Sequence, residues 1–318
     1  MRVVFLGTPE FAVPSLQALL ASRYQVCAVV TQPDRASGRG QRPHPPSIKR
    51  IAEQAGIAVH QPEKIRDEKN RTLLELLAPD FIVVVAYGQI LPGWLLRMAR
   101  IAPVNVHASL LPRYRGAAPV IWAILNGETI TGVTTMLMDE HLDTGDILMA
   151  RECPIDENLT GGELAGALAQ IGADMLVPTL DGLALGTIVP LPQDHNRASW
   201  APRLTKGQAW ITWESDAREI HNQIRGLNPW PVARTNFQAQ GAQVLRSQIC
   251  AGLPDSACPP GTFLGRTHDG MLVQCAHGSV IEILEIQLAN RRPISGREFS
   301  VGARLEQGIR VFASSPAE

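Results

Sequence analysis

The chain has no excess of charge of either sign. Its 318 residues carry 29 lysines and arginines against 30 aspartates and glutamates, a formal net charge of −1 at pH 7. Such a balance gives no global pull toward nucleic acid, so a polyanionic partner has to be met by local basic patches. Cysteine is scarce and scattered. Cys27, Cys153, Cys250, Cys258 and Cys275 are odd in number and form no C-x-x-C pair. That argues against a disulfide framework and a structural zinc site, and for a reducing, cytoplasmic setting. No apolar run approaches the ~20 residues that a membrane span needs, so no membrane partner is expected. Met1 leads directly into Arg2-Val3-Val4-Phe5-Leu6-Gly7, which reads as a buried strand and not as a secretory signal. Also missing is the G-x-G-x-x-G of dinucleotide enzymes. The first βα turn reads Gly7-Thr8-Pro9-Glu10-Phe11-Ala12, with one glycine. A nicotinamide cofactor needs a second one so that the backbone approaches its pyrophosphate, and an oxidoreductase reading is weakened accordingly. The acidic turn at residues 139–146 fails the D-x-[DN]-x-[DN]-G spacing of a calcium loop, and no metal is expected.

What is present is an alternation of strand and helix patterns. Val3–Leu6 is followed by Thr8, suited to an N-cap, Pro9 at a first helical position, Glu10 at the positive end of the dipole, and an apolar-periodic run through Leu20. A strand at Gln25–Thr31 and buried runs at Phe81–Ala86 and Ile101–Val106 interleave with helical patterns at Ile48–Ala55 and Asn70–Leu77. This order implies an α/β, Rossmann-like parallel sheet covered on both faces, with ligands at the carboxyl ends of its strands. Residues 131–138 and Ile147–Ile155 read as a hairpin across the acidic turn, and Gly162–Leu185 as a long helix. Periodicity is then lost around Pro190, Pro192 and Pro202, which reads as an interdomain linker. The expected division is a catalytic domain at 1–189, a linker at 190–206 and a second domain at 207–318. In the last, short strand-like segments near Val232–Phe237, Ala242–Ile249, Gly261–Gly265, Met271–Cys275 and Ser279–Gln287 suggest a small, OB-like β-barrel.

One stretch is chemically conspicuous: Asn105-Val106-His107-Ala108-Ser109-Leu110-Leu111-Pro112-Arg113-Tyr114-Arg115-Gly116. Residues i and i+2 of a strand share a face, so Asn105 and His107 project together. Two polar side chains on one face at the end of an apolar strand are not what core packing asks for. Pro112 and Gly116 then bracket a stiff, tightly turned loop. This is read as an active-site edge. A second feature is the loop Thr31–Pro46, of about fifteen residues, long for a compact domain. From Arg35 to Arg50 it carries Arg35, Arg39, Arg42, Lys49 and Arg50 with no acid between. It is either a solvated loop or an arm that reaches a phosphate-rich partner. Arg291, Arg292, Arg297, Arg304 and Arg310 in the second domain carry the same two readings, phosphate contacts or solvated surface. Trp230, between Pro229 and Pro231, is expected to be packed. His221 is read as structural, and His195 as a loop residue with no partner pattern.

Asn105-x-His107, then Ser109-Leu110-Leu111-Pro112-x-x-x-Gly116, then Leu142-Asp143-Thr144-Gly145-Asp146 resemble the signature of the folate-dependent formyltransferases. Thr31-Gln32-Pro33-Asp34-Arg35, Gly38-Arg39-Gly40, Val84-Val85-Ala86-Tyr87-Gly88, Arg115-Gly116-Ala117-Ala118-Pro119 and Asn228-Pro229-Trp230-Pro231 are similar to landmarks of the branch that acts on aminoacyl-tRNA. The resemblance covers nearly the whole chain. It implies transfer of a formyl group from 10-formyltetrahydrofolate to the α-amine of methionine on initiator tRNA. It implies a catalytic trio at Asn105, His107 and Asp143, and folate contacts at Ser109, Leu110, Leu111 and Pro112. It also implies an insertion loop in which Arg39, with Arg42, faces the tRNA acceptor end. Asp143 either orients His107 or relays a proton through water. One departure is His141, which stands where the family usually has glycine. A monomer is expected. The alternatives are a formyltransferase for a small amine, such as a sugar nucleotide or glycinamide ribonucleotide, and a non-catalytic RNA-binding protein on the same fold.

Overall fold

The computed structural model describes residues 1–37, 42–238, 240–250 and 258–313. It forms two compact units. The first comprises Met1–Pro119, Ile130–Pro154 and Ala165–Pro202; the second comprises Val120–Thr129, Ile155–Leu164 and Arg203 onward.

In the first unit, β1 (Arg2–Gly7) is apolar from Val3 to Leu6 without alternation, and both of its faces are buried. That is the pattern of a central parallel strand. β2 (Gln25–Val30), β3 (Val59–His60), β4 (Phe81–Val85) and β5 (Ala102–His107) join it in the parallel order β3-β2-β1-β4-β5. β6 (Ile130–Leu137) and β7 (Ile147–Pro154) extend the sheet past β5 as an antiparallel hairpin. The chain passes from β1 to β2 on one side and returns to β4 on the other, a topological switch of the kind that places ligands beyond the strands' carboxyl ends. The β5–β6 register sets Met136 opposite Asn105 and Thr134 opposite His107.

Two local expectations are corrected. Thr8 is not a helix cap. A 3-10 turn at Glu10–Ala12 precedes the helix Val13–Leu20. The Thr8 hydroxyl instead donates to the Tyr87 carbonyl at 3.2 Å and accepts from the Gln32 N–H at 3.3 Å, tying together the ends of β1, β2 and β4. The basic loop is not irregular at its base: Arg35–Ser37 pairs antiparallel with Arg42–His44. Arg39 lies outside the described residues, and Arg42 belongs to the second strand of this ribbon. The proline-rich segment is also engaged. Leu191 and Ile147 exchange both backbone hydrogen bonds, and Trp200–Ala201 pairs with Arg115–Gly116.

In the second unit, β8 (Ala233–Phe237), β9 (Gln240–Cys250), β10 (Phe263–Arg266), β11 (Met271–Gln274), β12 (Val280–Leu288) and β13 (Phe312–Ala313) form an antiparallel sheet in the order β10-β11-β12-β9-β8-β13. The sheet curls back on itself. Phe263 donates to the Ile309 carbonyl, Gly308 to that of Phe263 and Val311 to that of Gly261, each at 2.9 Å, so the segment leading into β13 also meets the β10 edge. Trp213 stacks on Phe312 with ring centroids 5.1 Å apart at the centre of this core, and its indole N–H donates to Thr235 Oγ1 at 2.8 Å. Trp230 is not packed as expected: in its turn between two prolines it is 54% exposed. Among the described residues, no helix is long and apolar enough to cross a membrane.

Candidate active site

Val106 faces the helix Gly161–Leu185, where a β-carbon at Gly172 would stand 2.7 Å from its Cγ1. Asn105 and His107 flank it on β5 and therefore project from the opposite face of the sheet. Both are buried, at 8% and 6% exposure. The Asn105 amide makes no hydrogen bond among the described residues, yet it is not sealed from solvent. It is an open donor in a recess.

His107 Nε2 lies 3.0 Å from the Tyr114 carbonyl oxygen. A carbonyl only accepts, so this nitrogen carries the hydrogen. Tyr114 reaches that position in the left-handed region, at φ 59°, and its own N–H donates to Ser199 Oγ at 2.9 Å. The other imidazole nitrogen, Nδ1, faces Asp143 Oδ1 at 3.8 Å. That separation is too long for a hydrogen bond. Asp143 also sits in the left-handed region, at φ 55°, where a short side chain with a local bond is best tolerated. Here the bond is to Gly116, whose N–H donates to Asp143 Oδ2 at 2.8 Å. Gly116 has no substitute: its φ is 120°, and a β-carbon would stand 2.7 Å from the Ala201 carbonyl oxygen.

The backbone of the Asp143 turn is held from a second side. Gln193 Nε2 donates to the carbonyl oxygens of Asp143 at 3.0 Å and Gly145 at 2.6 Å. The Gln193 amide oxygen accepts from Arg115 Nε and Nη2 at 3.2 and 2.6 Å, and Arg115 Nη2 donates to His195 Nδ1 at 3.0 Å. Arg115 and Gln193 are both buried. Neither was singled out from the sequence as a positioning residue, and His195, read as lacking a partner, has one. Arg115 lay within a motif, but Gln193 sits in a proline-rich run with no local signal.

The remaining sequence-derived residues fall as follows. Ser109 is fully buried; its hydroxyl donates to the Arg113 carbonyl at 2.6 Å and closes the loop on itself. Thr134 Oγ1 donates to the Ser109 carbonyl at 2.7 Å and accepts from the Leu111 N–H at 3.1 Å, pinning the loop to β6. Leu110 and Pro112 are half-buried beside it. His141 is exposed. Its N–H donates to Asp139 Oδ1 at 3.0 Å, and Thr144 Oγ1 donates to the same carboxylate at 2.7 Å. The turn thus accommodates a side chain at 141 by pointing it outward. No group of three or more His, Cys, Asp or Glu is placed to hold a metal among the described residues.

Residues 1–180 match the formyl transferase family model, and residues 203–304 match that of the formyl transferase C-terminal domain. A methionyl-tRNA formyltransferase from Trichlorobacter lovleyi is 48% identical over 307 residues, 96% of each chain. One from Pelobacter propionicus is 47% identical over 306 residues, 96% of this chain and 94% of that one. The chain belongs to the methionyl-tRNA formyltransferase family. Among solved structures, an N-formyltransferase from Helicobacter canadensis, in complex with folinic acid and dTDP-3-aminofucose, superposes with a TM-score of 0.65 at 20% identity, covering 90% of this chain and 99% of that one. At that identity the likeness concerns the fold alone. Asn105, His107 and the Asp143 turn lie within the part matched by the formyl transferase model.

Proposed function

We propose that this enzyme transfers the formyl group of 10-formyltetrahydrofolate to the α-amino group of methionine on initiator tRNA, giving N-formylmethionyl-tRNA. The observation that carries this is the near-full-length similarity, at 48% identity, to a methionyl-tRNA formyltransferase.

The site fits a folate-borne formyl group by the chemistry it presents: a recessed Asn105 amide without a protein partner, beside a His–carboxylate pair. The donor supplies an activated formyl carbon, and the Ser109–Pro112 loop is assigned to contact it. The attacking amine needs little activation. A free α-amino group titrates at about 7.7–8.0, and the adjacent ester lowers that, so much of it is neutral near pH 7. The protein's tasks are to stabilise charge on the formyl oxygen and to move one proton. Asn105 donates its free N–H to that oxygen, and one such donor contributes roughly 2.7–4 kcal/mol to the transition state. As the amine nitrogen bonds to the formyl carbon, its surplus proton passes to the His107–Asp143 pair. Nδ1 holds it beside the carboxylate and returns it to the folate nitrogen as the carbon–N10 bond breaks. Asp143 keeps the compensating charge at Nδ1 because Gly116 and Gln193 fix both its carboxylate and its backbone.

Arg39 and Arg42 of the basic loop are assigned to the acceptor end of the tRNA, and exposed arginines of the second unit to its backbone phosphates. A small-amine acceptor would require neither. The enzyme acts as a monomer, without metal or membrane. A formylation assay with 10-formyltetrahydrofolate tests the assignment. Methionyl-initiator tRNA should be formylated and free methionine should not; equal transfer to free methionine would make this a small-amine enzyme.

A further inference from the structure

The second unit contains a cavity of about 210 Å³ lined in part by Asn158, Thr160, Arg225, Arg246 and Ser247. Arg225 is its unusual member. The residue is 6% exposed. Its Nε donates to Asn222 Oδ1 at 2.9 Å, and its Nη1 donates to the carbonyl oxygens of Asp156 at 3.1 Å and Leu159 at 3.3 Å. These bonds fasten the segment Ile155–Leu164 to the helix Ala217–Gly226, a structural duty that accounts for two of the three guanidinium nitrogens.

It does not account for the charge. All three acceptors are neutral, and among the described residues no carboxylate lies within ion-pair distance of Arg225. The nearest acids bond to other groups. Glu157 pairs with Arg218 at 3.1 Å, Glu163 pairs with Arg246 at 2.5 Å, and Glu282 accepts from Gln248 at 2.5 Å. The Asp156 carboxylate accepts the Asn158 N–H at 2.9 Å. Arg225 is left as a cation largely withdrawn from water with no carboxylate in contact, and the attraction of Glu157 and Asp156 from further away only partly offsets its burial. Burial correspondingly pushes its pKa down. The nitrogen left over is Nη2, which makes no hydrogen bond among the described residues and is not sealed from solvent. Two N–H groups in a rigid plane at a polar cavity match the spacing of phosphate oxygens.

We propose that this cavity is an anion site that takes one backbone phosphate of the tRNA. The tRNA part rests on the acceptor proposed above; the anion site itself does not. A carboxylate ligand would suit the guanidinium equally, but the proposed acceptor brings phosphates and the cavity has room for a tetrahedral group. Each phosphate neutralised on duplex RNA or DNA contributes a salt dependence of about one counterion, so the contact is countable.

The test uses the full chain and the variants Asn158→Asp and Asn158→Lys. The Asn158 side chain is exposed and makes no hydrogen bond among the described residues, so neither change removes a packing contact. Binding of uncharged initiator tRNA is measured across a KCl series. In parallel, inorganic phosphate is titrated while the Arg225 Nε–H resonance is followed. We expect Asn158→Asp to raise the tRNA Kd roughly tenfold at low salt and to lower the salt slope by about one, with Asn158→Lys moving Kd the other way. Phosphate should shift the Arg225 signal in the parent chain and leave it in place in Asn158→Asp. Unchanged Kd and slope in a folded Asn158→Asp chain would overturn the tRNA assignment even if phosphate shifts the signal, since the cavity would then take only the free ion. No shift with phosphate would overturn the anion site. Loss of formyl transfer with tRNA binding intact bears on the proposed function instead.

Discussion

Gln193 holds Asp143 by its backbone: one side-chain nitrogen donates to the Asp143 carbonyl at 3.0 Å and to that of Gly145 at 2.6 Å. The Asp143 carboxylate is fixed separately, by the Gly116 N–H at 2.8 Å. A residue at φ 55° with its side chain and main chain both restrained is a preorganised partner for His107, which Asp143 faces at 3.8 Å.

Gln193→Ala should therefore impair turnover without touching either substrate. It leaves two carbonyls and the buried Arg115 short of partners, at about 1–3 kcal/mol for each buried group unpaired. We expect a fall in kcat of roughly tenfold or more with the tRNA KM little changed. Gln193→Glu keeps an acceptor for Arg115 but sets a carboxylate against two carbonyl oxygens. It should retain thermal stability better than Gln193→Ala, yet recover no activity. Recovery in Gln193→Glu would show that Arg115, and not the turn, is what Gln193 serves.

Asn105 and Asp143 can be separated by the same kind of measurement. Asn105→Ala should lower kcat by roughly 10²–10³-fold, the loss associated with one donor to a charge-bearing oxygen. Asp143→Asn removes the charge opposite His107 Nδ1 while keeping an acceptor for the Gly116 N–H; loss of acid–base assistance corresponds to about 10²–10⁴-fold. Both variants should unfold at close to the parent temperature. Near-normal formylation of methionyl-tRNA by either one removes that residue from the mechanism.

The parts of this site differ in how plainly they are written in the chain. Val3–Leu6 of β1 and all of β4 are uninterrupted apolar runs, and β5 is apolar up to Val104, so their positions follow from hydrophobicity. The shared face of Asn105 and His107 follows from strand periodicity. Asp143 does not, because it lies in an acidic turn of a kind that is usually just surface, and only the motif resemblance singled it out. Gln193 and Arg115 were illegible for a different reason. They are 78 residues apart, and Gln193 acts from a segment whose prolines make it read as a linker. Thr8 shows the opposite failure, since a good N-cap residue found better partners at neighbouring strand ends. Trp230, between two prolines, was expected to be packed, whereas its turn leaves it 54% exposed. At residues 31–46 composition revealed the charge, but the pairing of Arg35–Ser37 with Arg42–His44 depends on register, which composition does not encode.

Tyr87 offers a stability test near the same sheet edge. Its ring is buried and its hydroxyl has no hydrogen-bond partner among the described residues. Burial pushes the phenol up to about 12, so it stays neutral and simply unsatisfied. The Thr8 and Gln32 contacts go to the Tyr87 carbonyl and survive substitution. Tyr87→Phe should thus raise the unfolding free energy by about 1 kcal/mol, the desolvation cost no longer incurred. A loss of stability would mean that the hydroxyl has a partner, such as a buried water.

Acid should weaken the capped start of the helix Gly161–Leu185. The Glu163 carboxylate accepts the Thr160 N–H at 2.8 Å and the Thr160 hydroxyl at 2.7 Å, and it pairs with Arg246 at 2.5 Å. The Thr160 backbone bond foremost, then Arg246, lower its pKa from 4.5 to about 2. A depressed folded value means stabilisation that is fully present above the unfolded pKa and is lost as pH falls through the folded one, here between about 4.5 and 2. Glu163→Gln still satisfies the cap, because a glutamine oxygen accepts the same bonds, but it does not titrate. The parent should exceed Glu163→Gln in denaturant midpoint at pH 6, and the gap should narrow steadily from pH 4.5 downward. With the Glu163 side chain 44% exposed, solvent screening keeps that gap modest. A gap independent of pH would assign the cap's contribution to hydrogen-bond geometry alone, with no part played by the charge facing Arg246.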